Sequence, residues 1–254
     1  MKDNKQNGNA LFFILIAVVM LGLLTIILSR GGSNVEQTGS FERNTIQASK
    51  ILRFAKSIEA AVQQMKLRNI SENEISFQND ISTTDYTNSR CDDASDSNFP
   101  SCLVFDVEGA GLTYQKPDAN WLDNANSGET YYGDWLFTGD VCIPEIGEGR
   151  NGICAADTGN LELLAVLPYI DLTLCQQINK TVKARISTGN PPSDESSAWT
   201  SGSSEFKGVY GVAARVLADP APSVDIANSY TGCFEGDQDP PSGTYHFYHV
   251  ILAR

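Results

Sequence analysis

NGNALFFILIAVVMLGLLTIILSRGG, residues 7–32, decides how the rest of the chain is read. Its uncharged apolar run extends from Ala10 to Leu28, 19 residues. As a helix rising ~1.5 Å per residue it spans ~28 Å, close to the ~30 Å hydrocarbon core of a bilayer. Secretory signals carry a shorter apolar region of about 7–15 residues, followed by a small-x-small cleavage site. Here the run ends in Ile27-Leu28-Ser29-Arg30-Gly31-Gly32, which does not fit that pattern. The reading is a retained transmembrane helix over 9–29, serving as a plain anchor or as a stalk through which subunits pack. Lys2 and Lys5, partly offset by Asp3, precede it and Arg30 follows it, a slight lean towards a cytoplasmic N-terminus.

The cysteines point to the compartment. All six, Cys91, Cys102, Cys142, Cys154, Cys175 and Cys233, follow the apolar run. An even number of widely spaced cysteines in an exported chain reads as three disulfides in an oxidising compartment. Zinc sites want close pairs such as C-x₂-C, and this sequence has none. Six cysteines allow fifteen pairings, and sequence does not select among them. The local set, Cys91–Cys102, Cys142–Cys154 and Cys175–Cys233, is the working expectation. The formal charge of −13 is spread over loops, and an acidic exported domain repels phosphate backbones, so nucleic acid is not an expected partner.

Beyond a polar leader (1–8) and the helix, residues 30–41 carry three glycines and read as a linker. An exported domain follows over 42–254. Its first element is an amphipathic helix over 43–68, with Ile46, Ile51, Ala55, Ile58, Val62 and Met65 at near-helical spacing. From 100 to 254 short β-rich runs alternate with Gly, Pro, Asn, Asp and Ser clusters. Strands are expected at 102–107, 134–139, 161–167, 206–218 and 244–253. A short helix is expected over 171–182, with Asp171 as N-cap. The fold class is α+β: the amphipathic helix packed on an antiparallel β-sheet stapled by disulfides.

This order of parts resembles the type IV pilin-like superfamily, the pilins and the pseudopilins of type II secretion. The resemblance rests on the leader MKDNKQNG ending in Gly8, the apolar helix NALFFILIAVVMLGLLTIIL, the amphipathic helix and the β-rich C-terminal region. It implies cleavage between Gly8 and Asn9 by a prepilin peptidase, methylation of the new N-terminus, and packing of the apolar helices in a filament core. Ala10, Leu11, Phe12, Phe13, Ile14, Ile16 and Ala17 would then be assembly residues. The sequence departs from the family at the fifth mature position, where Phe13 stands in place of glutamate, and at the first, Asn9. A subunit lacking that glutamate is similar to minor or tip pseudopilins. The implied partners are other pilin-like subunits, the prepilin peptidase and the inner membrane, with the C-terminal domain periplasmic or extracellular. The alternative function is a single-pass anchored binding domain that recognises a glycan or a protein.

Few residues suggest chemistry, and the chain is read as not an enzyme. His246 and His249, the only histidines, lie in TYHFYHVILA, which reads as a strand and points them to opposite faces, one inward and one outward. No G-x-S-x-G, phosphate loop or dinucleotide fingerprint occurs. No cofactor is expected. Calcium is the one ion weighed, at Asp92, Asp93 and Asp96 or at Glu235, Asp237 and Asp239, but the EF-hand spacing is absent from both loops. Trp121, Tyr131, Tyr132, Trp135 and Phe137 crowd one polar segment, as either core or a sugar-binding or subunit-contact surface.

Overall fold

A helix with small and branched residues at steps of three and four presents one continuous apolar stripe. In the computed structural model this stripe is Ala48, Ile51, Ala55, Ile58, Val62 and Met65, flanked by Phe54 and Ala61, all buried. The structure describes residues 8–92, 94–147, 154, 161–184, 190–194, 204–211, 215–218 and 225–254. Within the first helix, side chains are described from Phe12 to Ile26 and from Gly39 onwards. The elements are α1 (Gly8–Leu67), β1 (Leu136–Cys142), β2 (Glu162–Ile170), α2 (Leu172–Val182), β3 (Arg215–Val216), β4 (Thr231–Glu235) and β5 (Tyr245–Leu252), with three short 3₁₀ turns before β1.

The chain divides into two units, Met1–Asn44 and Thr45–Arg254. In the first, α1 begins at Gly8 and is assigned through residues 30–41, the stretch read from its glycines as a linker. Phe12 to Ile26 are exposed along it. Among the described residues no helix is long and apolar enough to cross a membrane. The span expected over 9–29 reaches past the described side chains at both ends.

In the second unit α1 ends at Leu67, where Asn69 takes a left-handed φ of 64° and Ile70 N–H donates to the Met65 carbonyl at 3.1 Å. Such a residue after a helix turns the chain away and satisfies the last carbonyls. The expected stripe is therefore present, with one correction. Ile46 is 58% exposed, because the packed surface begins at Ala48. Ile51→Ala is expected to cost about 2–5 kcal/mol of stability and Ile46→Ala less than about 0.5 kcal/mol. Denaturant titration of the two variants checks this, and equal costs would show that the stripe is misplaced.

The sheet order is β3-β1-β2-β5-β4. β1–β2, β2–β5 and β5–β4 are antiparallel, while β3 runs parallel to β1, pairing Val141 with Arg215 and Cys142 with Val216. The sheet is thus mixed rather than antiparallel throughout. The long strand expected over 206–218 shrinks to these two described residues. Gly208, at φ +75°, interrupts the extended backbone, and a Cβ there would lie 2.3 Å from the Asn73 carbonyl oxygen. The strand expected at 102–107 is also absent among the described residues, apart from one bridge between Ser76 and Leu103. Turns closed by Leu103 N–H on Pro100 O and by Gly109 and Gly111 N–H on Asp106 O fold that segment back on itself. β4 was not expected; its five residues, TGCFE, are too few for a clear alternation.

Both faces of the sheet are covered. On one, Phe137, Leu163, Ala165, Leu167, Cys233 and Phe247 join the α1 stripe and Leu174, Cys175 and Ile178 of α2. On the other, Leu136, Leu164, Val166, Phe234, Tyr248 and Val250 meet Tyr131, Ile143, Ile146, Leu217 and Ile226 from loops. β2 is buried along its whole length. The disulfides are Cys91–Cys102, Cys142–Cys154 and Cys175–Cys233, with Cα separations of 5.9, 5.7 and 5.4 Å, the local set. α2 begins as expected, with the Asp171 carboxylate accepting from Thr173 N–H at 2.8 Å.

Candidate functional site

The residues singled out for assembly start α1. Phe12, Phe13 and Ile14 are 61–63% exposed and Ile16 is 40% exposed; Ala17 is exposed too. Thr25 returns its hydroxyl to the carbonyls of Leu21 and Gly22, both at 2.9 Å, so its only polar side-chain group is satisfied within the helix. The side chains of Gly8, Asn9, Ala10 and Leu11 lie outside the described ones. What this stretch offers is an apolar surface free of charge from Phe12 to Ile26, suited to lipid or to like helices.

The two histidines do lie on opposite faces of β5, but neither points to solvent. Both are fully buried. The sheet has a core on each side, so a strand residue has no outward direction here. His246 Nδ1 accepts from Tyr169 N–H at 3.3 Å, its Nε2 lies 2.7 Å from Thr244 Oγ1, and Phe234 and Tyr169 pack against the ring. Burial lowers its pKa to about 3. His249 bridges Thr231 Oγ1 through Nδ1 and Glu59 Oε2 through Nε2, the latter at 2.8 Å. Burial lowers its pKa as well, opposed by the Glu59 carboxylate. Glu59 also holds Lys56 Nζ at 2.7 Å. This series of bonds ties the C-terminal part of α1 to β5 and β4. It was not visible in the sequence, because 190 positions separate Glu59 from His249.

The acidic loops are held by their own backbone. Asp96 accepts from Asp92 N–H at 2.8 Å, and Asp93 lies outside the described residues. Glu235 accepts from Gly243 N–H at 3.0 Å within a turn that also contains Asp237 and Asp239. Among the described residues no group of three or more His, Cys, Asp or Glu is arranged to hold a metal ion.

The aromatic segment goes mostly to the core. Trp121, Tyr131, Trp135 and Phe137 are buried and Tyr132 is half-buried. Phe137 stacks on Phe77 with centroids 4.2 Å apart, and Trp135 packs 5.2 Å from Phe54 of α1. Tyr86 donates to the Trp135 carbonyl at 2.6 Å and accepts from Phe137 N–H at 3.1 Å. Buried Asp134 accepts from Thr83 N–H and Oγ1 and from Tyr114 O–H, at 2.9, 2.6 and 2.9 Å. These bonds fasten the irregular segment 77–114 to the start of β1.

Glu162 is the least expected feature. It is fully buried at the start of β2. Its Oε2 accepts from Ile143 N–H at 2.9 Å, while Oε1 has no hydrogen-bond partner among the described residues. Burial raises its pKa to about 8, since an ionised carboxyl in an apolar setting is costly.

Comparison with known proteins adds no relative: no family model matches the chain, and no curated protein or solved structure matches it.

Proposed function

We propose that this chain is a structural subunit of a type IV pilus-like or type II secretion pseudopilus-like filament, acting by assembly and surface contacts rather than by catalysis. The observation that carries the reading is the division of labour along α1. Phe12 to Ile26 expose apolar side chains, while Ala48 to Met65 form the spine of a sheet-bearing unit crosslinked by three disulfides. Exposed apolar surface of this kind needs lipid or neighbouring helices around it. Disulfides belong to an oxidising compartment. The subunit therefore waits in the inner membrane as a single-pass protein with its C-terminal unit periplasmic or extracellular. Helix packing in a filament replaces the lipid. The resemblance of the leader through Gly8 makes a prepilin peptidase the processing partner. The lack of a glutamate at Phe13 fits a minor or tip position.

The test is the intact mass and N-terminal sequence of the protein taken from its native membranes. The expected chain starts at Asn9 and carries one added methyl group. A chain that keeps Met1 and never crosslinks to like subunits would overturn the reading. It would favour an anchored exported domain that binds a glycan or a protein.

A further inference from the structure

Three cavities on the unit Thr45–Arg254 adjoin through shared lining residues. The first, about 400 Å³, is lined by Lys50, Arg53, Phe54, Ser57, Leu112 and Gln115. The second, about 280 Å³, shares Leu112 with it and is rimmed by Ile81 and Val107. The third, about 350 Å³, shares Asn79, Asp80 and Phe105 with the second and adds Asp92 and Asp106. The shared residues join the cavities into one groove. The first and third share none, so they are its ends. One end is cationic, through Lys50 and Arg53, and the other anionic, through Asp80 and Asp106. Among the described residues Lys50, Arg53 and Asp80 take part in no ion pair. At the middle the rim residues Ile81 and Val107 are apolar and open, 49% and 89% exposed, beside the polar Asn79 and Asp80. Ile46, unexpectedly exposed, lies one turn before Lys50 on the same stripe of α1.

We propose that this groove is a contact face between two copies of the chain, related by a two-fold axis through its middle. A face with opposite charges at its two ends complements itself when turned through half a revolution. Lys50 and Arg53 of each copy then meet Asp80 and Asp106 of the other, and the Ile81 and Val107 rims meet at the centre. Such an isologous contact closes at two copies. Two chains of formal charge −13 repel at long range, so the local pairing of the scarcer cations gives the contact its register. The proposal stands apart from the filament reading, since every residue in it belongs to the unit Thr45–Arg254 and none to the apolar start of α1.

The test uses charge exchange in the full chain, held in detergent micelles and followed by sedimentation. One variant carries Lys50→Glu and Arg53→Glu. The other carries Asp80→Lys and Asp106→Asn, the asparagine keeping an acceptor for Glu108 N–H, which Asp106 binds at 2.8 Å. Thermal melts first establish that both variants are folded. The native chain is expected to dimerise, each variant alone to bind itself about tenfold more weakly or worse, and an equimolar mixture to recover the dimer. Recovery follows because the reversed ends of the two variants attract each other. A native chain that sediments as single copies overturns the proposal. So do variants that associate as well as the native chain, and so does a mixture that fails to recover. Association through the apolar helices would be untouched by either variant, so a failed filament reading and a failed groove give different results.

Discussion

Glu162→Gln is expected to remove a contribution to stability that fades as pH rises from about 4.5 to about 8. The sign follows from linkage. A carboxyl whose pKa is raised by folding binds its proton more tightly in the folded state. Its favourable contribution is complete below the unfolded value of 4.5 and is lost as pH climbs through the folded value of about 8. At about 1.4 kcal/mol per pH unit, the Glu162 contribution falls by roughly 3–4 kcal/mol between about pH 5 and about pH 8, so the native midpoint should shift relative to that of the variant by roughly 10 °C over this span for a unit of this size. Glutamine keeps the shape and can still accept from Ile143 N–H, but it cannot ionise. Its melting midpoint should stay level above about pH 6.5, where the native one falls. His246 acts at the opposite end. Its pKa is lowered to about 3 by burial, and protonating Nδ1 would sacrifice the bond from Tyr169 N–H. Its contribution is complete above 6.5 and fades as pH falls towards 3. The two groups together place the stability maximum between about pH 4.5 and about pH 6.5. Melts of native and Glu162→Gln chains from about pH 4.5 to about pH 8 decide the matter. Parallel curves would mean that the buried carboxyl finds a partner or water that holds it ionised.

The second large effect is the removal of Cys175–Cys233 as a pair, Cys175→Ser with Cys233→Ser. This bridge closes a loop with a sequence separation of 58, against 11 and 12 for the other two. Loop-closure entropy puts the cost at about 4 kcal/mol, against about 3 kcal/mol for either short loop. The bridge also fastens α2 to the edge strand β4. Beside it, Asn179 donates to the Cys233 carbonyl at 2.7 Å and accepts from Cys233 N–H at 2.8 Å. That amide imitates a neighbouring strand at one residue of the sheet edge and would remain after the sulfurs are gone. Denaturant titrations of the three double-serine variants should rank Cys175–Cys233 as the costliest loss. A larger effect at Cys91–Cys102 would show that local loop order outweighs chain entropy.

Much of this architecture could be read directly from residue spacing. The stripe from Ile51 to Met65 is legible because helical periodicity is a local property, repeated often enough to outvote exceptions. Asp171 announces α2 because a cap acts on residues two positions away. The local cysteine pairing is the one observed, though fourteen other pairings were open to the same spacing. Where sequence reading went astray, the deciding partners were distant. The segment 102–107 has the composition of a strand, but its neighbours are turns anchored on Asp106 and Pro100. Ile46 continues the spacing of the helix, yet it stays 58% exposed. The histidines occupy opposite faces as strand geometry requires, while a core on each face buries both, His249 under Glu59 of α1 and His246 on the side that loops close.

By itself, then, the sequence determined the parts: an apolar segment at the start, a helix with one apolar stripe, short β-rich runs, and cysteines suited to three bridges. Each follows from interactions over a few residues, where spacing and side-chain type suffice. The tertiary structure alone decided which parts meet. It set the strand order β3-β1-β2-β5-β4, joined Glu59 to His249, left one oxygen of Glu162 buried without a partner among the described residues, and gave the cavities beside Lys50 and beside Val107 a common wall in Leu112. Such contacts bring together residues tens to hundreds of positions apart. Their energies depend on burial and on the neighbours that folding supplies, and no short window of sequence contains either.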